Sequence, residues 1–217
     1  FVLYWFVTNN NLKAQNILLL VSSYVFYGWW DYRFLSLIVF STLVDFFIGL
    51  NINHTRNKVR MRLLLASSII ANIGLLMFFK YYNFFIESWI DAFKSIGYSM
   101  DISTVSIILP VGISFYTFQT LSYTIDIYRR KLTPTNDFVA FAAFVAFFPQ
   151  LVAGPIERAS NLLPQVLNKR NFVFKQGLEG FHLMLWGFFK KLVIADSLGP
   201  IVNSIFHDYN TYSSFTL

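Results

Sequence analysis

The chain has 217 residues, of which 56% are hydrophobic, 20% are aromatic and only 13% are charged. A soluble domain carries roughly a quarter charged residues, so this composition indicates a polytopic membrane protein. The net charge of +6 is then a signal of topology, and nucleic acid is not an expected partner because no basic groove of a soluble fold accompanies it. Since the chain contains no cysteine, disulfides, thiolate metal ligands and a thiol nucleophile are excluded.

Apolar runs alternate with polar loops along the whole chain. The sequence opens inside an apolar run and ends in a polar stretch, so we interpret it as a piece of a longer protein. The predicted fold class is all-α, a polytopic transmembrane protein whose residues 1–217 form a single membrane domain. The apolar runs are Phe1–Val7, Gln15–Trp30, Phe34–Leu50, Leu63–Ile86, Val105–Tyr128, Phe138–Val152 and Leu178–Ala195, with a short turn at Asp31–Arg33.

The basic loops orient these runs. Asn51–Arg62 and Arg129–Lys131 are expected in the cytoplasm by the positive-inside rule, with the polar segment Glu87–Ser103 on the opposite side. Ile156–Gln176 is also basic, yet only Phe138–Val152 separates it from Arg129–Lys131. That run has about 15 residues, or roughly 22 Å as a helix, which is short for a membrane span. We therefore predict that it is a re-entrant segment that opens to the cytoplasm.

The stretch Phe147–Arg158, F-F-P-Q-L-V-A-G-P-I-E-R, is predicted to break a helix twice. Pro149 lacks an amide hydrogen and its ring clashes with the carbonyl one turn back. Gly154 frees the backbone and Pro155 moves it out of the helical region. Carbonyls released at membrane depth must face protein or a wet cavity, so this stretch favours a site inside the membrane. An ordinary helix end at the interface is the alternative.

A polar stripe runs along Val105–Tyr128, within about a quarter of the helix circumference. It faces a neighbouring helix or a cavity, because an acid that faces lipid is costly. Hydrogen bonding between helices is the alternative, and Arg129 and Arg130 are close enough in sequence to pair with Asp126. The stripe consists of Gly112, Tyr116, Gln119, Tyr123, Asp126 and Arg130.

Other charged residues interrupt the apolar runs. Lys190 and Lys191 form either an electropositive wall for a phosphorylated or thioester donor, or two amines that reach the interface of a tilted helix. Asp45 is expected to pair with a basic loop residue. His182 follows Glu179 by one turn, a spacing that could orient an imidazole, although packing alone explains most such histidines. From the residues alone, the function is open between an acyl- or lipid-handling enzyme and a transporter.

Two long motifs at this spacing, L-P-V-G-I-S-F-Y-T-F-Q-T-L-S-Y-T-I-D-I-Y-R over Leu109–Arg129 and the stretch Phe147–Arg158, resemble the membrane-bound O-acyltransferase family. Tyr27–Phe34 and Gly187–Asp196 are similar to it as well, and the resemblance is strongest to the branch of alginate O-acetyltransferase membrane subunits. The family implies a many-helix funnel in the bacterial inner membrane. It also implies an acyl thioester donor such as acetyl-CoA in the cytoplasm, and outside it a polysaccharide acceptor or a periplasmic acetyltransferase partner.

The resemblance assigns roles to few residues of this chain. The family's essential histidine lies in a W-H or H-G context that His54, His182 and His207 do not match. No catalytic residue is therefore expected in this chain, and the fragment alone is expected to be inactive. No bound cofactor and no metal are expected either. A transporter or channel module without a covalent step, and a scaffold subunit, are the alternatives. The positions expected to bind substrate are Tyr116, Gln119, Asp126, Pro149, Gln150, Gly154, Pro155, Arg158, Lys190 and Lys191.

Overall fold

The computed structural model describes residues 1–8, 11–97, 110–151 and 154–207. All regular secondary structure in these ranges is helical, so the all-α prediction is confirmed. The helices are α1 (Leu12–His54), α2 (Lys58–Ser95), α3 (Ile113–Tyr128), α4 (Phe138–Val145), α5 (Phe148–Leu151), α6 (Ala159–Leu167), α7 (Phe174–Phe189) and α8 (Asp196–His207), with π-helical segments at Leu3–Val7 and Lys190–Ala195.

The chain divides into two compact units, Phe1–Arg170 and Asn171–Leu217. The first unit contains two helices, Asp31–His54 and Lys58–Ser95, that are long and apolar enough to cross a membrane. That residues 1–217 form a single membrane domain stays a prediction.

Helix α1 contains two of the predicted runs, joined at a kink. Asp31 has non-helical dihedral angles, φ −158° and ψ 109°. The Arg33 amide donates to Asp31 Oδ1 at 2.9 Å, so the aspartate caps the second part of the helix. The predicted turn at Asp31–Arg33 is therefore confirmed as a break between two helical parts.

Helix α2 is longer than the predicted run Leu63–Ile86 and includes residues 87–95 of the predicted polar segment. The assignment of the whole of Asn51–Arg62 to a loop was wrong, because residues 51–54 belong to α1 and residues 58–62 to α2. Helix α2 begins early because Asn57 Oδ1 accepts hydrogen bonds from the Val59 and Arg60 amides, at 2.9 and 3.3 Å. It continues to Ser95 and ends just before Gly97, whose φ of 91° suits a glycine. Residues 98–103 of the predicted polar segment and residues 105–109 lie outside the described residues.

The short apolar run that sequence places between two basic loops lies in the core of the first unit. Residues 140–146 are fully buried, and α4 packs against α1 and α6. The Phe141 ring lies 4.5 Å from the Tyr123 ring of α3 and 5.7 Å from the Phe46 ring of α1, centroid to centroid. Residues 140–146 are therefore covered by protein on every side, whereas Phe138 at the start of the run is exposed.

The second unit consists of α7, the π-helical segment Lys190–Ala195 and α8. Its first helix begins at Phe174, four residues before the predicted run Leu178–Ala195, and the helical path extends beyond that run to His207. Its described side chains are exposed or half-buried. The predicted polar tail from Thr211 lies outside the described residues.

Candidate functional site

The predicted interruption of the apolar run is present and lies inside the first unit. Helix α4 ends at Val145 and α5 begins at Phe148. Pro149 accounts for the position of the break, because it has no amide hydrogen and its ring excludes the carbonyl four residues earlier, that of Val145. After Leu151 and the undescribed residues 152 and 153, residues 154–158 are not helical. The backbone from 138 to 158 is therefore not one continuous helix.

Side chains of α3 and α1 satisfy the backbone groups that the break releases. In an uninterrupted helix the Phe148 amide would donate to the Phe144 carbonyl. Here Gln119 Nε2 donates to the Phe144 oxygen at 2.8 Å, and the Phe148 amide donates to Ser23 Oγ at 3.3 Å. Gln119 is 1% exposed, and its hydrogen bond stabilises the break. This is the hydrogen bonding between helices that the sequence analysis gave as the alternative to a cavity.

The chain reverses direction along α3 between residues 138 and 159. A Cβ atom on Gly112 would lie 2.8 Å from the Leu151 carbonyl oxygen, and Gly112 has a φ of 76° that favours glycine. About ten residues, or roughly 15 Å of helix, separate Gly112 from Ser122. At the start of the segment, Phe141 lies beside Tyr123 and Phe144 lies beside Gln119. Further along, Leu151 lies beside Gly112. At the end of the segment, Ala159 lies beside Ser122. Its two ends thus lie at the same level of α3.

Gly154 is required by a close approach of the chain to itself. Its amide donates to the Gln150 carbonyl at 3.1 Å. A Cβ atom there would lie 2.5 Å from Gln150 Cα, closer than real Cβ contacts occur. Any larger residue would have to displace the backbone that carries Gln150.

Three polar groups of α3 and α5 are buried without a hydrogen-bond partner among the described residues: the Tyr116 hydroxyl, the Tyr123 hydroxyl and Gln150 Nε2. Tyr116 is 1% exposed and Gln150 is 6% exposed. Tyr27 lies near Tyr116, and its own hydroxyl donates to the Val111 carbonyl at 2.8 Å. Buried polar groups in proteins are almost always paired, so these three are candidates to bind a polar group of a substrate. Tyr116 and Gln150 were predicted from the sequence as substrate-binding positions, and Tyr123 was predicted only as a member of the polar stripe.

The other predicted positions in the first unit are more exposed. Pro149, Pro155 and Arg158 are exposed, whereas Gly154 and Asp126 are half-buried. The ion pairs of the described residues join Asp31 to Arg33 and Lys191 to Asp196, so Asp126 does not pair with Arg129 or Arg130.

Lys190 and Lys191 belong to the second unit, and both are exposed. Lys191 Nζ lies 2.6 Å from Asp196 Oδ2, a pairing of residues i and i+5 that a π-helical turn brings onto one face. Lys190 Nζ lies 5.5 Å from the centroid of the Trp186 ring, within range of a cation–π interaction.

Sequence reasoning missed a buried polar cluster around Asp45, and its assignment of a basic loop residue as partner was wrong. Asp45 is fully buried and accepts hydrogen bonds from Ser68 Oγ at 2.5 Å, Asn72 Nδ2 at 2.7 Å and Thr124 Oγ1 at 3.0 Å. Neutral groups of α2 and α3 therefore replace the expected cation. A signal was present, because polar residues recur four apart on each helix: Ser41 and Asp45, Ser68 and Asn72, Thr120 and Thr124.

Comparison with known proteins identifies similar enzymes. The chain is 40% identical over 198 residues to "Probable alginate O-acetylase AlgI" of Azotobacter vinelandii, an alignment that covers 89% of this chain and 39% of that protein. The protein of the same name from Pseudomonas aeruginosa is 40% identical over 196 residues, covering 89% of this chain and 37% of the relative. "Peptidoglycan O-acetyltransferase" of Helicobacter pylori is 34% identical over 205 residues, covering 82% of this chain and 38% of the relative.

No family model and no solved structure matches the chain. The chain spans less than half the length of the curated relatives that it matches. The resemblance indicated by the two long motifs is nevertheless confirmed: this chain is similar to O-acetyltransferases named for alginate and for peptidoglycan.

Proposed function

We propose that this chain is part of a multi-pass O-acetyltransferase of the membrane-bound O-acyltransferase type in a bacterial inner membrane. The donor is a cytoplasmic thioester such as acetyl-CoA. The acceptor is a hydroxyl group of a cell-envelope polysaccharide, reached directly or through a periplasmic acetyltransferase partner. The observation that carries this proposal is the 40% identity, over 89% of the chain, to a protein named for alginate O-acetylation.

The reaction is an acyl transfer without a change of oxidation state. The acceptor hydroxyl oxygen forms a bond to the thioester carbonyl carbon, the carbon–sulfur bond breaks, and the hydroxyl proton passes through a general base to the departing thiolate. None of the three histidines of this chain lies in the motif that the family resemblance associates with that base. We therefore expect residues 1–217 alone to transfer no acetyl group.

The contribution that we propose for this chain is part of the wall of a passage through the membrane. The apolar helices Asp31–His54 and Lys58–Ser95 would span the bilayer, and residues 138–159 would be re-entrant from the cytoplasmic side. The reversal of the chain along α3 supports this topology, as does the capping of the Phe144 carbonyl by Gln119. Tyr116 and Gln150 would then face the passage with their unpartnered groups.

The re-entrant topology can be tested directly because the chain contains no cysteine. Single cysteines at positions 134 and 168 should react with an impermeant thiol reagent from the cytoplasmic side only, since both flank the same re-entrant segment. A cysteine at position 95, the exposed last residue of α2, is the control that should react from the opposite side. Accessibility of positions 134 and 168 from opposite sides would show that the segment crosses the membrane.

The acetyl-transfer proposal is tested with the intact protein and a donor thioester labelled in its acetyl group. We expect label to enter the polysaccharide or the partner protein, and Arg158→Ala to reduce turnover more than it reduces the amount of protein. Arg60→Ala, at another exposed arginine, is the matched control and should keep full turnover. Movement of unmodified solute without transfer of label would establish the transporter alternative instead.

A further inference from the structure

One cavity of the first unit has a strongly basic lining. Its volume is about 490 Å³, and its lining shares no residue with the broken helix. The six lining residues include four cations and no carboxylate, and they come from the α1–α2 loop, the start of α2 and the end of α3. They are Arg56, Lys58, Met61, Arg62, Tyr128 and Arg130.

Arg130 occupies a backbone position that favours glycine. Its φ is 60°, the one positive φ at a non-glycine residue of the described chain. The Lys131 amide donates to the Asp126 carbonyl at 2.8 Å and the Arg130 amide to the Ile127 carbonyl at 2.9 Å. This pair of hydrogen bonds is the Schellman motif, in which the residue at the position of Arg130 is usually glycine. An arginine there is strained, and such strain points to a role for its side chain.

The Arg130 side chain is positioned without being neutralised. Its guanidinium nitrogens lie 3.4 Å from Asn53 Oδ1 and 3.4 Å from the Thr55 carbonyl oxygen, and 3.7 Å from the Met61 sulfur. All three contacts are to uncharged atoms of α1, its following loop and α2. The arginine therefore keeps its full charge at the cavity.

The start of α2 adds to the positive potential of the cavity. Lys58 is the first residue of this helix of 38 residues, so the partial positive charge of the helix N-terminus lies beside the cationic side chains. Asn57 Oδ1 accepts from two of the first amides of the helix, those of Val59 and Arg60. The side-chain cations remain the main attraction for an anion.

We propose that this basic pocket, lined by Arg56, Lys58, Arg62 and Arg130, binds a phosphate ester. Three guanidinium groups offer the planar paired donors that match phosphate oxygens, and one ammonium group adds a point charge. The positive-inside prediction for the loop Asn51–Arg62 would place this pocket on the cytoplasmic face. Two sources of phosphate ester occur there: the headgroup of an anionic phospholipid and a soluble phosphorylated cofactor. The proposal does not depend on acetyl transfer.

The test measures binding of two probes to the full chain in phosphatidylcholine nanodiscs. Coenzyme A is the soluble probe, and phosphatidylglycerol, added to the discs and followed by native mass spectrometry, is the lipid probe. The variants are Arg130→Gly and Arg62→Gln. Arg60→Gln is the matched control, because it removes one charge from the same helical turn at a residue that does not line the cavity. Arg130→Gly should fold at least as stably as the parent chain, since glycine is favoured at that position.

We expect at least one probe to bind, and the one that binds identifies the source of the phosphate. Arg130→Gly and Arg62→Gln should each weaken its binding about tenfold, and Arg60→Gln should change it less than twofold. Three results would overturn the proposal: neither probe binds, Arg130→Gly and Arg62→Gln leave binding unchanged, or Arg60→Gln weakens it as much as they do. The last result would mean that diffuse surface charge, screened by salt, attracts the anion. Because no acetyl group is transferred in this assay, its failure would leave the acetyltransferase proposal untouched.

Discussion

Two polar clusters inside the first unit differ in how completely their hydrogen-bonding groups are paired. Around Asp45, three side chains from two neighbouring helices donate to one carboxylate. On α3 and α5, the Tyr116 hydroxyl, the Tyr123 hydroxyl and Gln150 Nε2 are also buried but have no partner among the described residues. The first cluster is closed, and the second has unused capacity for hydrogen bonds.

The difference separates a structural role from a functional one. A network that uses all its donors on its own acceptor fixes three helices relative to each other and leaves nothing to bind a ligand. A buried group without a partner carries a desolvation cost that a hydrogen bond to a ligand would offset. The α1–α2–α3 contact at Asp45 is therefore the frame, and the unpartnered groups of Tyr116, Tyr123 and Gln150 on α3 and α5 are the candidate site that the frame supports.

The largest effect on stability is expected at the closed cluster. Asp45→Ala removes three interhelical hydrogen bonds, each worth roughly 0.6 to 1.7 kcal/mol inside a membrane protein, so the free energy of unfolding should fall by about 3 kcal/mol. Titration of the purified chain with sodium dodecyl sulfate, followed by circular dichroism, measures this change.

Thr42→Val is the control for that substitution. The Thr42 hydroxyl is also buried, three residues from Asp45, but it donates at 2.6 Å to the Ile38 carbonyl of its own helix. Its loss should change stability by less than about 0.5 kcal/mol, because the carbonyl keeps its helical partner. Equal losses in Asp45→Ala and Thr42→Val would show that the cluster does not hold the helices together.

A smaller effect is expected where the frame meets the broken helix. Gln119→Leu leaves the buried Phe144 carbonyl without the donor that now lies at 2.8 Å, and should lower the free energy of unfolding by about 1 to 2 kcal/mol. Gln165→Leu is the matched control, since Gln165 is exposed and donates only within α6, to the Asn161 carbonyl at 3.1 Å. If the two substitutions have the same effect, the break does not need Gln119.

The sequence predicts those features of this frame that depend on local chemistry. Pro149 marks the break because it removes a donor and blocks a carbonyl, and Asp31 marks the kink because it caps the helix that follows. Gln119 was placed on a polar stripe that faces a neighbouring helix or a cavity, and hydrogen bonding between helices was one of the two interpretations given for it. The ends of α2 were not predicted, because a span defined by hydropathy stops where polar residues begin, whereas the helix continues until its caps.

The partners of Asp45 could not be predicted from one helix alone. Its donors lie 23, 27 and 79 residues away in sequence, and a pairing of that range depends on how the helices pack. The regular four-residue spacing on each helix indicates a polar face, but not which faces meet. Tyr116 and Tyr123 show the same limit, since both lie on the predicted stripe, and only the packing shows that both hydroxyls are buried without a partner and that the Tyr123 ring lies against Phe141.

The smallest effect on stability is expected at the unpaired cluster. There, the effect on stability and the effect on turnover should differ most clearly. Tyr116→Phe removes a buried hydroxyl that has no partner, so stability should change by less than about 0.5 kcal/mol. In the intact protein the same change should lower turnover about tenfold, because a hydrogen bond to the passing substrate is worth roughly 1.4 kcal/mol. Tyr27→Phe is the matched control: its hydroxyl donates to the Val111 carbonyl at 2.8 Å, so we expect it to lose stability and to keep its turnover per folded molecule. In the reverse pattern, Tyr116→Phe would be destabilised and fully active. That result would make Tyr116 part of the frame and remove the reason to place a substrate beside it.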